Sequence, residues 1–391
     1  MDIIYVSCLT EKEKFFSLFK DYDNLPGQQG QKYHRLTVEG ITKNGCKVHT
    51  VTSLPVTPKN CSAKFLSASQ SISDGIEYNY LPVVNFPIIK NIIVMMSSFF
   101  KTLKLIRKNK GSKVVCDILN ISVSTGARIA AKLARTEATG IVTDVPAFLS
   151  ANKEKLSVKI NTRLMNSFDS YVFLTDEMKE VVDAKGKDYT VIEGLVDVEA
   201  VELKNTHQDK YPAKVCMYAG RIQKIYGIKY LTEAFIKADI ANTELHIYGD
   251  GDFKEELLNI CKTNDKVKYF GVKQNDEVVS EQLKATLLIN PRPTDEEYTK
   301  YSFPSKNMEY MVSGTPILTT KLPGMPKEYY PYVYLIEEET VGGLANTLTQ
   351  TLSLSKDDLH NMGTKSKEWV LKNKNNVMQT KKLIAMLENK N

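Results

Sequence analysis

Residues Tyr301–Pro316 read YSFPSKNMEYMVSGTP, and their punctuation predicts one short helix. Pro304 suits the first helical turn, where its missing N–H costs nothing and its fixed φ is already helical. Gly314 is placed for the left-handed C′ position, and Pro316 prevents the helix from continuing. Met308, Met311 and Val312 recur at i, i+3, i+4 spacing, which predicts a core stripe. Ser305, Lys306 and Glu309 fall on a different face, all within the first two turns.

That polar face has a chemical reading. A helix N-terminus offers free N–H groups and the positive end of a dipole, so it holds phosphate well. Ser305 adds a hydroxyl donor and Lys306 a full positive charge at the same end. Glu309 sits one turn deeper, where a carboxylate would repel phosphate but can accept two hydrogen bonds from a ribose diol. Diphosphate at the mouth and ribose below is the outline of a nucleotide-sugar site. The same residues also suit an ordinary surface helix with solvated charges.

The stretch resembles the donor-binding helix of the family 4 retaining glycosyltransferases, and most closely their bacterial capsular and exopolysaccharide branch, which carries SFPSK-x-x-E-Y followed by SG-x-P. The resemblance implies the α/β GT-B fold, two Rossmann-like domains facing a central cleft. In the wider family a Glu-x7-Glu motif places one Glu near the donor sugar and the second on the ribose. Glu309 matches the second. The position eight residues earlier is Tyr301, so the first Glu is absent, and Glu296 or Glu297 in the preceding loop is the candidate carboxylate in its place.

Composition sets the frame for that reading. A chain of 391 residues is too long for one ordinary core and suits two domains. With 42% hydrophobic and 25% charged residues it reads as a globular enzyme, neither disordered nor fibrous. Its six cysteines are scattered without a C-x-x-C pair, which argues against a zinc site or disulfide framework and for a reducing compartment. The N-terminus, MDIIYVSCLTEKEKFF, becomes charged too soon for a signal peptide, and no run of about eighteen apolar residues appears. The net charge of +6 does not by itself imply nucleic acid.

In the first half, Asp2 to Ser7 is an apolar run of the kind that makes a buried parallel strand. A turn-rich loop from Asn24 to Gln31, with Gly27 and Gly30, leads into an expected helix from Gln31 to Lys43 and a strand near Lys47 to Thr52. The spacing is not G-x-G-x-x-G, which disfavours a dinucleotide dehydrogenase. The resemblance implies that this glycine loop faces the donor phosphates and the acceptor. Residues 53–80 read as irregular and polar. The apolar stretch NFPIIKNIIVMMSSFF then runs into a basic cluster, Lys101, Lys104, Arg107, Lys108, Lys110 and Lys113. That pattern fits an amphipathic helix with a solvated basic end, or a surface that touches anionic lipid. Strands are expected at Val114 to Leu119, Gly140 to Thr143 and Ser170 to Leu174. Asp144 follows the second of these. Open α/β sheets place ligand groups at such strand ends, and Asp144 is the candidate for orienting an acceptor hydroxyl; a turn-forming Asp before Pro146 is the alternative.

Residues 197–212 read as an interdomain linker, which divides the chain into an acceptor domain (1–196), a nucleotide-sugar domain (213–375) and a last helix (376–391). The resemblance implies that this helix returns to the first domain. The run YAGRIQKIYGIKYLTEAF resembles the family's Gly-Arg loop, in which an Arg and a Lys five residues later clamp the diphosphate. Gly220 and Arg221 match, but Tyr226 stands at the Lys position, leaving Lys224 nearby and Lys306 as the second charge. Asp250-Gly251-Asp252 looks like a metal-binding D-x-D, but it follows a strand where the family has a glycine-rich turn, including Gly249, and uses no metal.

The residues and the resemblance together predict a glycosyltransferase that moves a sugar from a nucleotide-diphosphate sugar to a lipid-linked saccharide, and the resemblance implies that it does so with retention. Arg221, Lys306 and Asp144 are its catalytic candidates. Gly27, Gly30, Gly220, Gly249, Ser305 and Glu309 join Arg221 and Lys306 on the donor. No metal or other cofactor is expected, and the expected place of work is the cytoplasmic face of the membrane. A non-hydrolysing sugar-nucleotide epimerase and a catalytically silent partner subunit remain alternatives, the second because of Tyr301 and Tyr226.

Overall fold

The computed structural model describes residues 1–22, 26–146 and 156–389. The chain divides into two compact units, residues 1–195 with 376–391, and residues 196–375.

Among the described residues the first unit carries the strands β1 Asp2–Ser7, β2 Lys47–Thr52, β3 Phe65–Leu66, β4 Ser69–Ser73, β5 Ile76–Tyr80, β6 Val83–Val84, β7 Lys113–Asp117, β8 Ala138–Val142, β9 Ser170–Phe173 and β10 Asp188–Val191. Eight form one sheet in the order β10-β9-β8-β7-β1-β2-β5-β4, parallel except for the β4–β5 pair. β1 and β2 have the expected bounds, and β1 is buried from Ile3 onward. A buried polar chain fixes the Gln28–Lys43 helix to this sheet. Tyr5 Oη lies 2.7 Å from His34 Nδ1, and His34 Nε2 lies 2.8 Å from Asp117 Oδ2 at the end of β7. Burial pushes the Asp117 carboxyl up, but His34, the Leu119 N–H and Asn120 together hold it below its ordinary value.

Two expectations fail here. Residues 53–80 are not irregular: β4 and β5 form a hairpin whose two-residue turn, Asp74-Gly75, takes φ of 51° and 76°. Positive φ at both central residues gives the turn whose twist matches the flanking strands. The glycine loop is also mostly helix. Gly27 is the N-cap and Gly30 lies in the first turn of Gln28–Lys43, while Asn24 and Leu25 lie outside the described residues. The last helix, Asn376–Glu388, belongs to this unit. Gly40 lets it approach, since a Cβ there would stand 2.3 Å from the Asn376 carbonyl oxygen. Asn44 Nδ2 donates to Val377 O at 2.8 Å and Gln379 Nε2 to Glu193 Oε2 at 2.9 Å.

The second unit holds β11 Lys214–Ala219, β12 Thr243–Tyr248, β13 Val267–Gly271, β14 Leu287–Asn290, β15 Ile317–Thr320 and β16 Tyr334–Ile336. They form one parallel sheet in the order β13-β12-β11-β14-β15-β16. Numbered from its own first strand this is 3-2-1-4-5-6, the doubly wound Rossmann order, and the direction of winding reverses between β11 and β14. Residues 197–212 fall within this unit, and Val198–Glu202 is a 3-10 helix rather than open linker. Its core unites Tyr218, Phe235, Ile247, Phe253 and Leu344 between sheet and helices.

Candidate active site

The Ser305–Ser313 helix forms where the sequence places it, with Pro304 as N-cap and Gly314 closing it at φ 73°. Met308, Met311 and Val312 are buried, and so is Tyr310. Tyr310 locks the helix to the C-terminal end of β11: its hydroxyl accepts from the Ala219 N–H at 3.0 Å and donates to the Ala219 carbonyl at 3.2 Å. Lys306 Nζ donates to the same carbonyl at 2.7 Å and lies 5.5 Å from the Tyr218 ring centre.

Gly220 is next to that carbonyl, and a Cβ on it would stand 1.9 Å from Lys306 Nζ. The Gly-Arg loop is braced by the turn after β12. The Gly220 N–H donates to Tyr248 O at 2.9 Å, Ile222 N–H to Asp250 O at 3.0 Å, and Phe253 N–H to Ile222 O at 3.1 Å. Gly249, at φ 130°, leaves room for this: a Cβ there would meet the Gly220 carbonyl oxygen at 1.7 Å. Asp252 caps the loop by accepting the Lys224 N–H at 2.9 Å, and Asp250 lies 3.5 Å from Lys254 Nζ.

The charges gather at one place. Burial pushes Lys306 below its ordinary value; Glu309 opposes that shift, and Arg292 and Arg221 add to it. Arg221 is exposed, and among the described residues no carboxylate pairs with it. Lys224 is not part of the group, because its ammonium pairs with Glu256. At the helix mouth fewer amides are open than the sequence suggests. The Ser305 N–H donates to Phe303 O at 2.9 Å and Asn307 N–H to Pro304 O at 2.9 Å, which leaves the Lys306 N–H and the exposed Ser305 side chain.

Arg292 was not singled out in the sequence. It follows β14 by two residues, and its guanidinium carbon lies 4.9 Å from the Tyr226 ring centre and 5.4 Å from that of Tyr298. Tyr226, the residue in the place of the expected Lys, is thus a platform for an Arg. Tyr301 is buried at the end of the Glu297–Tyr301 3-10 helix; Glu296 is half-buried and helps push the Tyr298 hydroxyl up, while Glu297 is exposed.

Arg221, Gly220, Gly249, Ser305, Lys306 and Glu309 therefore all lie in the second unit, around the carboxyl ends of β11 and β12 and the start of one helix. Gly27, Gly30 and Asp144 lie in the first unit. Among the described residues nothing stands within 4 Å of a Cβ built on Gly27 or Gly30, so none of them requires glycine there for room. Asp144 is half-buried in the bend just after β8, and residues 147–155 beyond it lie outside the described residues.

Residues 202–369 match the family model of the glycosyl transferases group 1. Among solved structures the chain is similar over its full length to full-length sucrose-phosphate synthase from Thermosynechococcus elongatus (14% identity, TM-score 0.66). It is equally covered by HepE of Anabaena in complex with UDP and glucose (13% identity, TM-score 0.64, 100% of both chains). The lipopolysaccharide outer core galactosyltransferase WaaB is a third such structure (15% identity, TM-score 0.61, 100% of both chains). No curated protein sequence matches the chain. The fold is that of the GT-B glycosyltransferases, two Rossmann-like units in one chain.

Proposed function

We propose that this protein is a retaining glycosyltransferase that moves a sugar from a nucleotide-diphosphate sugar to a saccharide acceptor. The observation that carries the reading is the meeting of Lys306 and Arg221 at the end of β11, with Glu309 one turn further along the same helix. It is supported by the family-model match across this unit and by the UDP bound to Anabaena HepE.

As the glycosidic bond breaks, negative charge grows on the leaving β-phosphate. Arg221, Lys306 and the Lys306 amide are fixed donors for that charge, and such a donor contributes roughly 2.7–4 kcal/mol at a transition state. Glu309 accepts from the ribose hydroxyls. The two cations supply the charge neutralisation a divalent ion would otherwise give, so the reaction proceeds without a metal. Attack comes from the same face as departure, with the leaving phosphate taking the acceptor's proton, and Asp144 orients the acceptor hydroxyl.

The acceptor in this proposal is a lipid-linked saccharide of cell-surface polysaccharide assembly, met at the inner face of the cytoplasmic membrane. The Pro87–Lys108 helix supports it. Ile88, Ile92, Met96 and Phe100 form an exposed stripe at four-residue spacing that Lys104 and Lys108 continue. Among the described residues no helix is long and apolar enough to cross a membrane.

A panel of nucleotide sugars incubated with the protein alone tests the class. Slow release of the nucleoside diphosphate from one donor is the expected result. Formation of an epimer would make it an epimerase, and binding without either reaction would make it a silent partner subunit.

A further inference from the structure

We infer that Arg292 is a further ligand of the donor diphosphate, a third cation that enters from the β14 side of the site; the inference rests on the glycosyltransferase reading above. In open α/β sheets the ligand binds outside the carboxyl ends of the strands, at the point where the winding reverses. Here that point lies between β11 and β14. Arg221 follows the first of these strands and Arg292 the second, so one Arg stands on each side of it.

The Arg292 guanidinium lies over two aromatic rings, Tyr226 at 4.9 Å and Tyr298 at 5.4 Å. Aromatic faces attract a guanidinium, and a stacked Arg presents its planar fork with little freedom left to lose on binding. Gly227, at φ 80°, presses the Tyr226 turn onto the β14 loop: a Cβ on it would meet the Pro291 carbonyl oxygen at 2.1 Å. The two segments are thus packed backbone to backbone beside the Arg.

The rings leave the charge unsatisfied. Among the described residues no carboxylate pairs with Arg292, and its side chain makes no hydrogen bond. The neighbouring Tyr298 hydroxyl is buried without a hydrogen-bond partner. Arg292 and Arg221 both act electrostatically on Lys306 against the pull of Glu309, so the three like charges repel one another. Like charges held together disfavour the empty site, and an anion with several oxygens reverses that. Tyr226 and Tyr298 are positioning residues: they hold the fork and do not themselves take the phosphate.

Calorimetry with uridine diphosphate and uridine monophosphate tests this, using the guanosine, adenosine or thymidine pair if the wild-type protein prefers one of those. Arg292→Gln is expected to weaken the diphosphate by about 10- to 100-fold while the monophosphate changes much less. Arg292→Lys keeps the charge and loses the fork, so it falls between. Tyr226→Phe is expected to bind as wild type and Tyr226→Ala to lose diphosphate affinity selectively. Equal diphosphate affinity in wild type and Arg292→Gln, or equal losses of di- and monophosphate in a folded variant, overturns the inference and leaves the glycosyltransferase reading standing. A wild-type protein that binds none of the diphosphates overturns both.

Discussion

Lys306 Nζ donates a 2.7 Å hydrogen bond to the carbonyl of Ala219, the last residue of β11, and so ties the start of one helix to the end of one strand. Burial holds this ammonium below the ordinary lysine value, with Arg292 and Arg221 adding to the shift against Glu309. A bound diphosphate favours the charged form, so the pKa rises on binding and a proton is taken up between the empty-site and occupied-site values. Diphosphate affinity is therefore expected to fall as pH rises through that window. Lys306→Arg stays charged throughout and loses this dependence. Calorimetry across pH in buffers of different ionisation enthalpy checks it, and identical pH slopes for the two proteins would count against the role of Lys306.

Gly220 and Gly249 predict contrasting defects. A methyl group at Gly220 meets the end of the flexible Lys306 side chain at 1.9 Å, whereas one at Gly249 meets the Gly220 backbone oxygen at 1.7 Å. Gly220→Ala, at φ 157°, is strained too but relieves its clash by displacing the flexible ammonium, so it is expected to lower turnover with a smaller loss of thermal midpoint than Gly249→Ala. Gly249→Ala, which also forces φ 130° on a side-chain residue, is expected to destabilise the unit by about 1–3 kcal/mol. Thermal denaturation of the two variants separates the cases, and equal midpoints would contradict the contrast.

Glu309→Ala is expected to weaken nucleoside diphosphate binding, because two charge-assisted hydrogen bonds to ribose are lost, each worth about 1.5–3 kcal/mol. The 2′-deoxy nucleotide provides the internal control: it should lose affinity for the wild type and show a smaller loss with the variant. Unchanged affinity in a folded Glu309→Ala protein would falsify the ribose contact.

The Pro87–Lys108 helix predicts salt-sensitive membrane binding. Each Lys or Arg near an anionic surface contributes about 1 kcal/mol, and shallow insertion of the Ile88–Phe100 stripe adds to it. Replacing Lys104, Arg107 and Lys108 with Gln should reduce co-sedimentation with anionic vesicles, and replacing Ile88 and Ile92 with Ser should do so at high salt as well. Equal sedimentation of all variants would leave this an ordinary helix of the first unit.

Where local chemistry decides the structure, the sequence discloses it. β1 and β2 have the expected bounds because a short strand set off by turns is read locally. The Ser305–Ser313 helix is legible because Gly314 must take positive φ and Pro304 cannot lie in a helix interior. β4 is not legible as a strand. Ser69–Ser73 is a polar sheet edge with no buried residue, and only the Asp74-Gly75 turn signals it. Gly30 reads as a loop by propensity, yet the Gln28–Lys43 helix already runs through it. Arg292 is hidden for another reason. Its setting is made by Tyr226 and Tyr298, which come from different segments and meet only when β11 and β14 pair. Tyr226 reads in the sequence as a lost cation; in the fold it is the support for another one.

The most direct test of this account is turnover of a nucleotide-sugar donor by wild type, Lys306→Ala and Arg221→Ala at saturating donor, with excess EDTA present. Interactions that strengthen at the transition state act on kcat. The wild type is expected to turn over without metal. Each variant should lose about 10²- to 10³-fold in kcat while still binding the free nucleoside. Wild-type turnover in either variant, or a strict requirement for a divalent ion, would contradict it.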